Sequence, residues 1–314
     1  MTKIFTILKH GMSKNAKIQM TFVIFLSIMA VACLVCMNCV YGWFYDSLVN
    51  KNSQKVIANI ALYFALMITL GLTEAEMHYR KRMFTSYFRK TIYNYYNIYV
   101  LNEEKCKFSC QRMSQDLLQF GTQFINLFAL LLHSILLIPS FLYVLITLKI
   151  GYLTLAICII VTILASIISK KIGHPVVKLQ YNQESLEGGL RRDLIDQTKL
   201  TRNKTLPDIS SVLQNYVKMS KKERLLMYFK NTYDKISHAI PYTFLVPRYI
   251  AAKITLGQMV QMGTGLSKLL TEISFIVNNI DKIVEFDATV ARVKELDEIR
   301  QNAIIDFLDN KITD

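Results

Sequence analysis

The residues of this chain best placed to do chemistry are carboxylates near or inside apolar stretches. Glu272 follows Lys268 by one helical turn within residues 254–280, a stretch that is otherwise nearly uncharged. A carboxylate isolated in apolar surroundings favours its protonated form and can carry a proton, whereas a cation one turn away holds it ionised. The spacing therefore leaves open a structural Lys268–Glu272 pair and a proton carrier. Asp116 stands at the entrance to an uncharged run. Glu184 and Glu187 lie in KLQYNQESLEGGLRRDLID (178–196), and Glu285 lies in IVEFDATVARVKEL (283–296). Each of these could exchange protons in a cavity or pair with a neighbouring base on a solvated helix face.

Other chemistries find no support. Cys33, Cys36 and Cys39 are spaced like metal ligands but sit in an uncharged apolar run, where small thiols commonly pack as core. Cys106 and Cys110, four apart, do not suit a disulfide if they share a helix. The histidines at 10, 78, 133, 174 and 238 are scattered without ligand-like spacing, and His133 reads as a packing residue. His238 and Arg248, near opposite ends of one stretch, are expected to snorkel to interfaces. A phosphate-cradling G-x-x-x-x-G-K-[ST] loop is absent; GTGLSK (263–268) has the wrong spacing. The chain reads as a non-enzyme without cofactor or metal.

The elements that must position these groups are membrane helices. Of 314 residues, 52% are hydrophobic and only 19% charged. Residues 18–45, 56–73, 117–148 and 150–169 carry no charge, and each is long enough for the roughly 20 apolar residues of a membrane helix. Two weaker spans, 236–253 and 254–280, carry Arg248, Lys268 and Glu272, which implies an interior rather than a lipid-facing position. Six crossings result, at about 18–45, 56–76, 117–148, 150–172, 236–253 and 254–280. Long helical segments (77–116 and 173–235) lie on one side with a tail at 281–314, all in a single transmembrane domain. With both termini inside, the inside segments hold 31 Lys and Arg and the outside segments 5, as the positive-inside rule requires. The net charge of +14 is thus topological and gives no reason to invoke nucleic acid. The stretch 178–196 reads as the continuation of span four and 79–96 as that of span two. Gly188 and Gly189 could soften the former.

Several patches, in order along nearly the whole chain, resemble the SbmA/BacA family of bacterial inner-membrane peptide transporters and the membrane domains of related ABC-type acyl and vitamin B12 transporters. After span one, NCVYGWFYDSLVNK is similar to the family's aromatic-aromatic-acidic turn, here Phe44, Tyr45 and Asp46. SCQRMSQDLLQF resembles its Gln-Arg, acidic, Phe pattern through Gln111, Arg112, Asp116 and Phe120. The stretch 178–196 supplies Asn182, Gln183, Glu187, Arg191 and Leu194, and 247–261 with 283–296 resemble the last outer turn and final helix. The chain departs from the family in having one Trp, Trp43, and in its Gly188–Gly189 pair.

The resemblance implies an all-α membrane protein with the ABC-exporter type of transmembrane domain, its helices extending into the cytoplasm. It implies a homodimer in the inner (plasma) membrane of a bacterium, taking up peptides or peptide-like compounds with protons by alternating access. Asp116, Glu187 and Glu272 would carry protons or line the cavity. Because the residues after Ile280 are too few for a nucleotide-binding domain, the other reading is a membrane subunit served by a separate ATPase polypeptide.

Overall fold

The structure, a computed structural model, describes residues 11–100, 115–199 and 209–274, and nine residues between Lys282 and Lys294; the side chains of 96–100, 177, 184, 192 and 195–199 are outside the description. Among the described residues there are six long helices and no strand: α1 (Lys14–Val49), α2 (Ser53–Val100), α3 (Leu117–Thr147), α4 (Tyr152–Lys199), α5 (Ser210–Ile250) and α6 (Leu256–Ile273). In lipid, helices satisfy every backbone group internally, so long apolar runs take no other form. Pro139, Pro175, Pro241 and Pro247 all lie inside helices. Neighbouring helices make such residues tolerable in this setting.

Three tight turns join the helices in pairs, and all three are built alike. Lys51, Lys149 and Ala252 each adopt a left-handed backbone, with φ of 51°, 57° and 51°. Behind each, the next amide reaches back to a carbonyl five residues earlier, as in Asn52 to Ser47, Ile150 to Leu145 and Lys253 to Arg248. This is the Schellman pattern that ends a helix, made here without glycine. The turns cluster at one end of the bundle: an Arg248 Nη2 donates to the Lys149 carbonyl at 3.0 Å, and Asp46 bonds the start of α6. Arg248 is thus a strap between turns, where snorkelling was expected.

The helices far outrun a bilayer. At about 1.5 Å per residue, the 48 residues of α2 and of α4 each extend about 72 Å, against about 30 Å of hydrocarbon. The charged stretch 178–196 is therefore the lower part of α4, which continues through Gly188 and Gly189. α1 to α4 are long and apolar enough to cross a membrane; α5 and α6 fall short of that standard because polar residues interrupt them. The chain is accordingly an all-helical membrane protein. On α2, Ile57, Phe64, Ile68 and Leu72 are exposed and available to lipid.

Two apolar cores hold the bundle. Near the turns, Leu137, Phe141 and Leu145 of α3 pack with Leu245 of α5 and Met262 and Leu266 of α6. Farther along, Phe84, Phe88 and Ile92 of α2 meet Ala16 and Val23 of α1, Phe120 of α3, and Val290 and Val293 of the final segment. Below the turns, α4 and α5 pack on each other and on α6, leaving one side of the bundle open.

Candidate functional site

Depth is set by counting residues from the turns. Glu272 lies sixteen residues into α6, about 24 Å, and Ser134 thirteen residues back from the end of α3, about 20 Å. The Ser134 hydroxyl donates to Glu272 Oε2 at 2.5 Å. That short contact is the geometry of a hydroxyl on a carboxylate. The ion pair that the Lys268–Glu272 spacing allows is not formed. Glu272 turns towards α3, while Lys268 is exposed on the protomer surface at about 18 Å. Among the described residues the ion pairs are Arg80–Glu76 and Lys235–Asp234.

A small polar cleft of about 60 Å³ lies between α4, α5 and α6. Its lining includes Ser166, Ser169, Tyr233, Asp234, Ser237 and Thr271. The hydroxyls of Ser166 and Ser169 are buried without a hydrogen-bond partner, and the space suits a few waters that would satisfy them. Tyr233 donates to Thr162 Oγ1 at 3.1 Å and fixes α5 against α4. Asp234 stands sixteen residues back from the end of α5, about 24 Å, at the depth of Glu272. Tyr233 and Asp234 were missed from sequence because span five was started at Ile236, where the charge ends. Walking twenty residues back from the turn at Ala252 would have found them.

The remaining carboxylates lie elsewhere. Asp116, buried, is 31 residues from the end of α3, and Glu187 is 35 from the start of α4. They lie about 46 and 52 Å along their helices from the turns, farther than the 40–45 Å thickness of a bilayer. Glu187 accepts from Gln183 Nε2 at 3.0 Å, and Asn215 Nδ2 on α5 donates to Gln183 Oε1 at 2.9 Å and to the Leu179 carbonyl at 3.0 Å. Gln183 is thus a buried clamp between α4 and α5, while Asn182 and Arg191 are exposed. Glu285 accepts from Gln123 Nε2 at 2.8 Å. Gln111, Arg112 and the Glu184 side chain lie outside the described residues, as do Cys106 and Cys110.

Two further positions picked out from sequence have structural work. Asp46 Oδ1 accepts from the Gly257 amide at 2.8 Å, and Oδ2 from the Thr255 hydroxyl at 3.0 Å. The start of α6 already carries a capping box of Thr255 and Gln258, so Asp46 satisfies a further free amide and adds a negative charge at a helix N-terminus. Gly257 permits this, because a Cβ there would overlap the Gly42 carbonyl and the Asp46 carboxyl. Deeper along the same seam, Asn38 Nδ2 donates to Thr264 Oγ1 at 2.8 Å and to the Gln261 carbonyl at 3.2 Å. Phe44 meets Tyr45 edge-on with centroids 5.4 Å apart, and the Tyr45 hydroxyl lies 3.2 Å from that of Tyr41. Phe120, wholly buried, stacks between Phe88 (5.9 Å) and Phe286 (5.6 Å). Cys33, Cys36, Cys39 and Cys158 are free thiols.

Parts of the sequence are similar to known proteins. The chain is 24% identical over 207 residues to an uncharacterised ABC transporter ATP-binding protein, sll0182, of Synechocystis, covering 60% of the chain and 30% of the relative. It is 21% identical over 163 residues to the inner membrane ABC transporter ATP-binding protein YddA of Escherichia coli, covering 48% and 29%. It is 22% identical over 315 residues to the chloroplastic ABC transporter D family member 2 of Arabidopsis thaliana, covering 92% and 44%. The chain thus spans less than half the length of each of these relatives. The SbmA/BacA-like family matches residues 12–300, and with that match over nearly its whole length the chain belongs to this family of membrane proteins.

Proposed function

We propose that the chain is half of a homodimeric transporter that takes up peptides or peptide-like compounds with protons by alternating access, with α5 and α6 completing six crossings. The observation that carries this reading is Glu272. It is a carboxylate at membrane depth, bonded across helices to Ser134 rather than to Lys268, beside a cleft with unsatisfied hydroxyls. A proton on Glu272 removes the charge that strengthens the Ser134 contact, which loosens α6 from α3. Its loss restores the contact, so the same group is proton carrier and latch.

Lys268 supports the dimer. An ammonium about 18 Å into the bundle and exposed on one protomer is costly against lipid, so its face belongs to a water-filled cavity that a second copy completes. The open side between α3 and the α4–α5 pair fits that need. Asp116 and Glu187, farther from the turns than a bilayer is thick, are assigned to the mouth of the cavity. By the charge asymmetry of the loops that mouth and both termini are cytoplasmic, in a bacterial inner membrane.

The names of the relatives, all of ABC transporters and two of ATP-binding proteins, favour a second reading, a membrane subunit of an ATP-driven transporter; the separate ATPase polypeptide and the vitamin B12 or acyl-type substrate of that reading rest on the family resemblance alone. Uptake of a labelled Pro/Arg-rich peptide into proteoliposomes holding this chain alone decides between the two. Uptake driven by external acid, abolished by a protonophore and lost in Glu272→Gln, supports proton coupling. No uptake from a folded dimer until ATP and a partner are added supports the second reading.

A further inference from the structure

A second cavity, of about 490 Å³, opens between α2, α3 and the final segment and is lined by Lys81, Gln123, Asn126, Leu127, Leu130, Lys282 and Glu285. Its chemistry changes with depth. Leu130 and Leu127 lie 17 and 20 residues from the end of α3, about 26 and 30 Å, at the edge of the hydrocarbon core farthest from the turns. Gln123 lies at about 36 Å, and Lys81, 28 residues along α2, at about 42 Å, the depth of the headgroups.

The polar end carries one more positive than negative charge, with Lys81 and Lys282 against Glu285. Neither Lys81 nor Lys282 has an ion-pair partner among the described residues, although they share one cavity wall. Burial first, and then the Lys282 charge, push the Lys81 ammonium below the usual lysine value. Glu285 accepts from Gln123 Nε2 and offsets only one of the two lysines. That bond also fixes the Gln123 amide, leaving Oε1 buried without a donor. The cavity thus offers two cations, one unfilled acceptor and an apolar wall nearer the membrane centre.

From this gradient we infer that the cavity binds an anionic phospholipid with a hydroxyl-bearing headgroup, of the phosphatidylglycerol class, from the leaflet opposite the short turns. The phosphate sits between Lys81 and Lys282, a headgroup hydroxyl donates to Gln123 Oε1, and an acyl chain runs along Leu127 and Leu130. One negative phosphodiester matches the surplus of two lysines over Glu285. The site is independent of the substrate proposed above.

The test is lipid retention. The full-length protein is reconstituted in nanodiscs of phosphatidylglycerol or phosphatidylcholine, extracted into detergent, and its bound lipid counted by native mass spectrometry. Phosphatidylglycerol is expected to be retained over phosphatidylcholine. Lys81→Gln with Lys282→Gln lowers that preference roughly thirty-fold, at about a fivefold effect per basic contact. Lys81→Arg with Lys282→Arg retains it, which guards against a folding defect in the glutamine pair. Equal retention of the two lipids, or an unchanged preference in a folded glutamine pair, overturns the proposal. Displacement of the lipid by millimolar inorganic phosphate also overturns it, since the site would then serve a soluble anion.

Discussion

Asp46→Ala isolates a contact that joins α1 to α6 across more than two hundred residues. The change removes the acceptor of the Gly257 amide and of the Thr255 hydroxyl. The amide bond is partly buried, and a charge-assisted bond of this kind contributes about 1.5 kcal/mol or somewhat more. The hydroxyl bond is exposed and adds about 0.5 kcal/mol, in line with the small values of interhelical bonds in membrane proteins. The lost negative charge at the helix N-terminus is worth a further few tenths. The total, about 2 kcal/mol, corresponds to roughly thirty-fold in the unfolding equilibrium.

Unfolding titrated with denaturing detergent in mixed micelles and followed by helicity reads this loss directly. Asp46→Asn separates the two bonds, because its amide oxygen can still accept from Gly257 while its amide nitrogen cannot accept from Thr255. It is expected to cost about a third as much as Asp46→Ala. If both variants unfold within about 0.5 kcal/mol of the parent, Asp46 does not hold α6 and the role given to it is wrong. Equal, full losses in the two would instead assign the effect to charge alone.

Gly257→Ala drives a methyl group into the Gly42 carbonyl and the Asp46 carboxyl, so a loss of about 1–3 kcal/mol is expected in the same titration. Phe120→Ala empties the stack between Phe88 and Phe286 and should cost about 3–5 kcal/mol, read as a lowered thermal midpoint. Lys149→Gly relieves a left-handed residue and should raise stability by up to about 1 kcal/mol; a loss there would mean the side chain is needed in the turn. Gly189→Ala meets nothing within 4 Å and should stabilise α4 by roughly 0.5–1 kcal/mol, measured as slower amide exchange around it.

The helices that cross the membrane were legible because hydropathy is local. Residues 18–45 and 150–169 announce α1 and α4 by containing no charge, and the helix formers after Lys170 announce that α4 does not stop at the interface. The same locality explains the misses. A hydropathy window ends where charge begins, so it starts span five at Ile236, although the helix α5 already begins at Ser210 and includes Tyr233 and Asp234. The capping box of Thr255 and Gln258 is visible in TLGQ, but its third member, Asp46, is distant in sequence. Spacing likewise offered Lys268 to Glu272 and had no means of offering Ser134.

The positions that carried the family resemblance turn out to divide by depth. Asp46 caps α6 at the turn end, Phe120 sits in the aromatic stack near the far face of the bilayer, and Gln183 clamps α4 to α5 beyond it. All three bind one helix to another, so a pattern built on them reports the scaffold. Glu272, Ser134 and the hydroxyls of Ser166 and Ser169 occupy the intervening layer, where lipid makes every unsatisfied polar group expensive. Such groups at that depth, with helix clamps on both sides of them, fit the alternating access proposed above, in which the ends of the bundle hold while its middle rearranges. If the proposed function holds, Ser134→Ala should both lower stability in the unfolding titration and alter the pH dependence of transport, whereas Asp46→Ala should lower stability and leave that pH dependence unchanged.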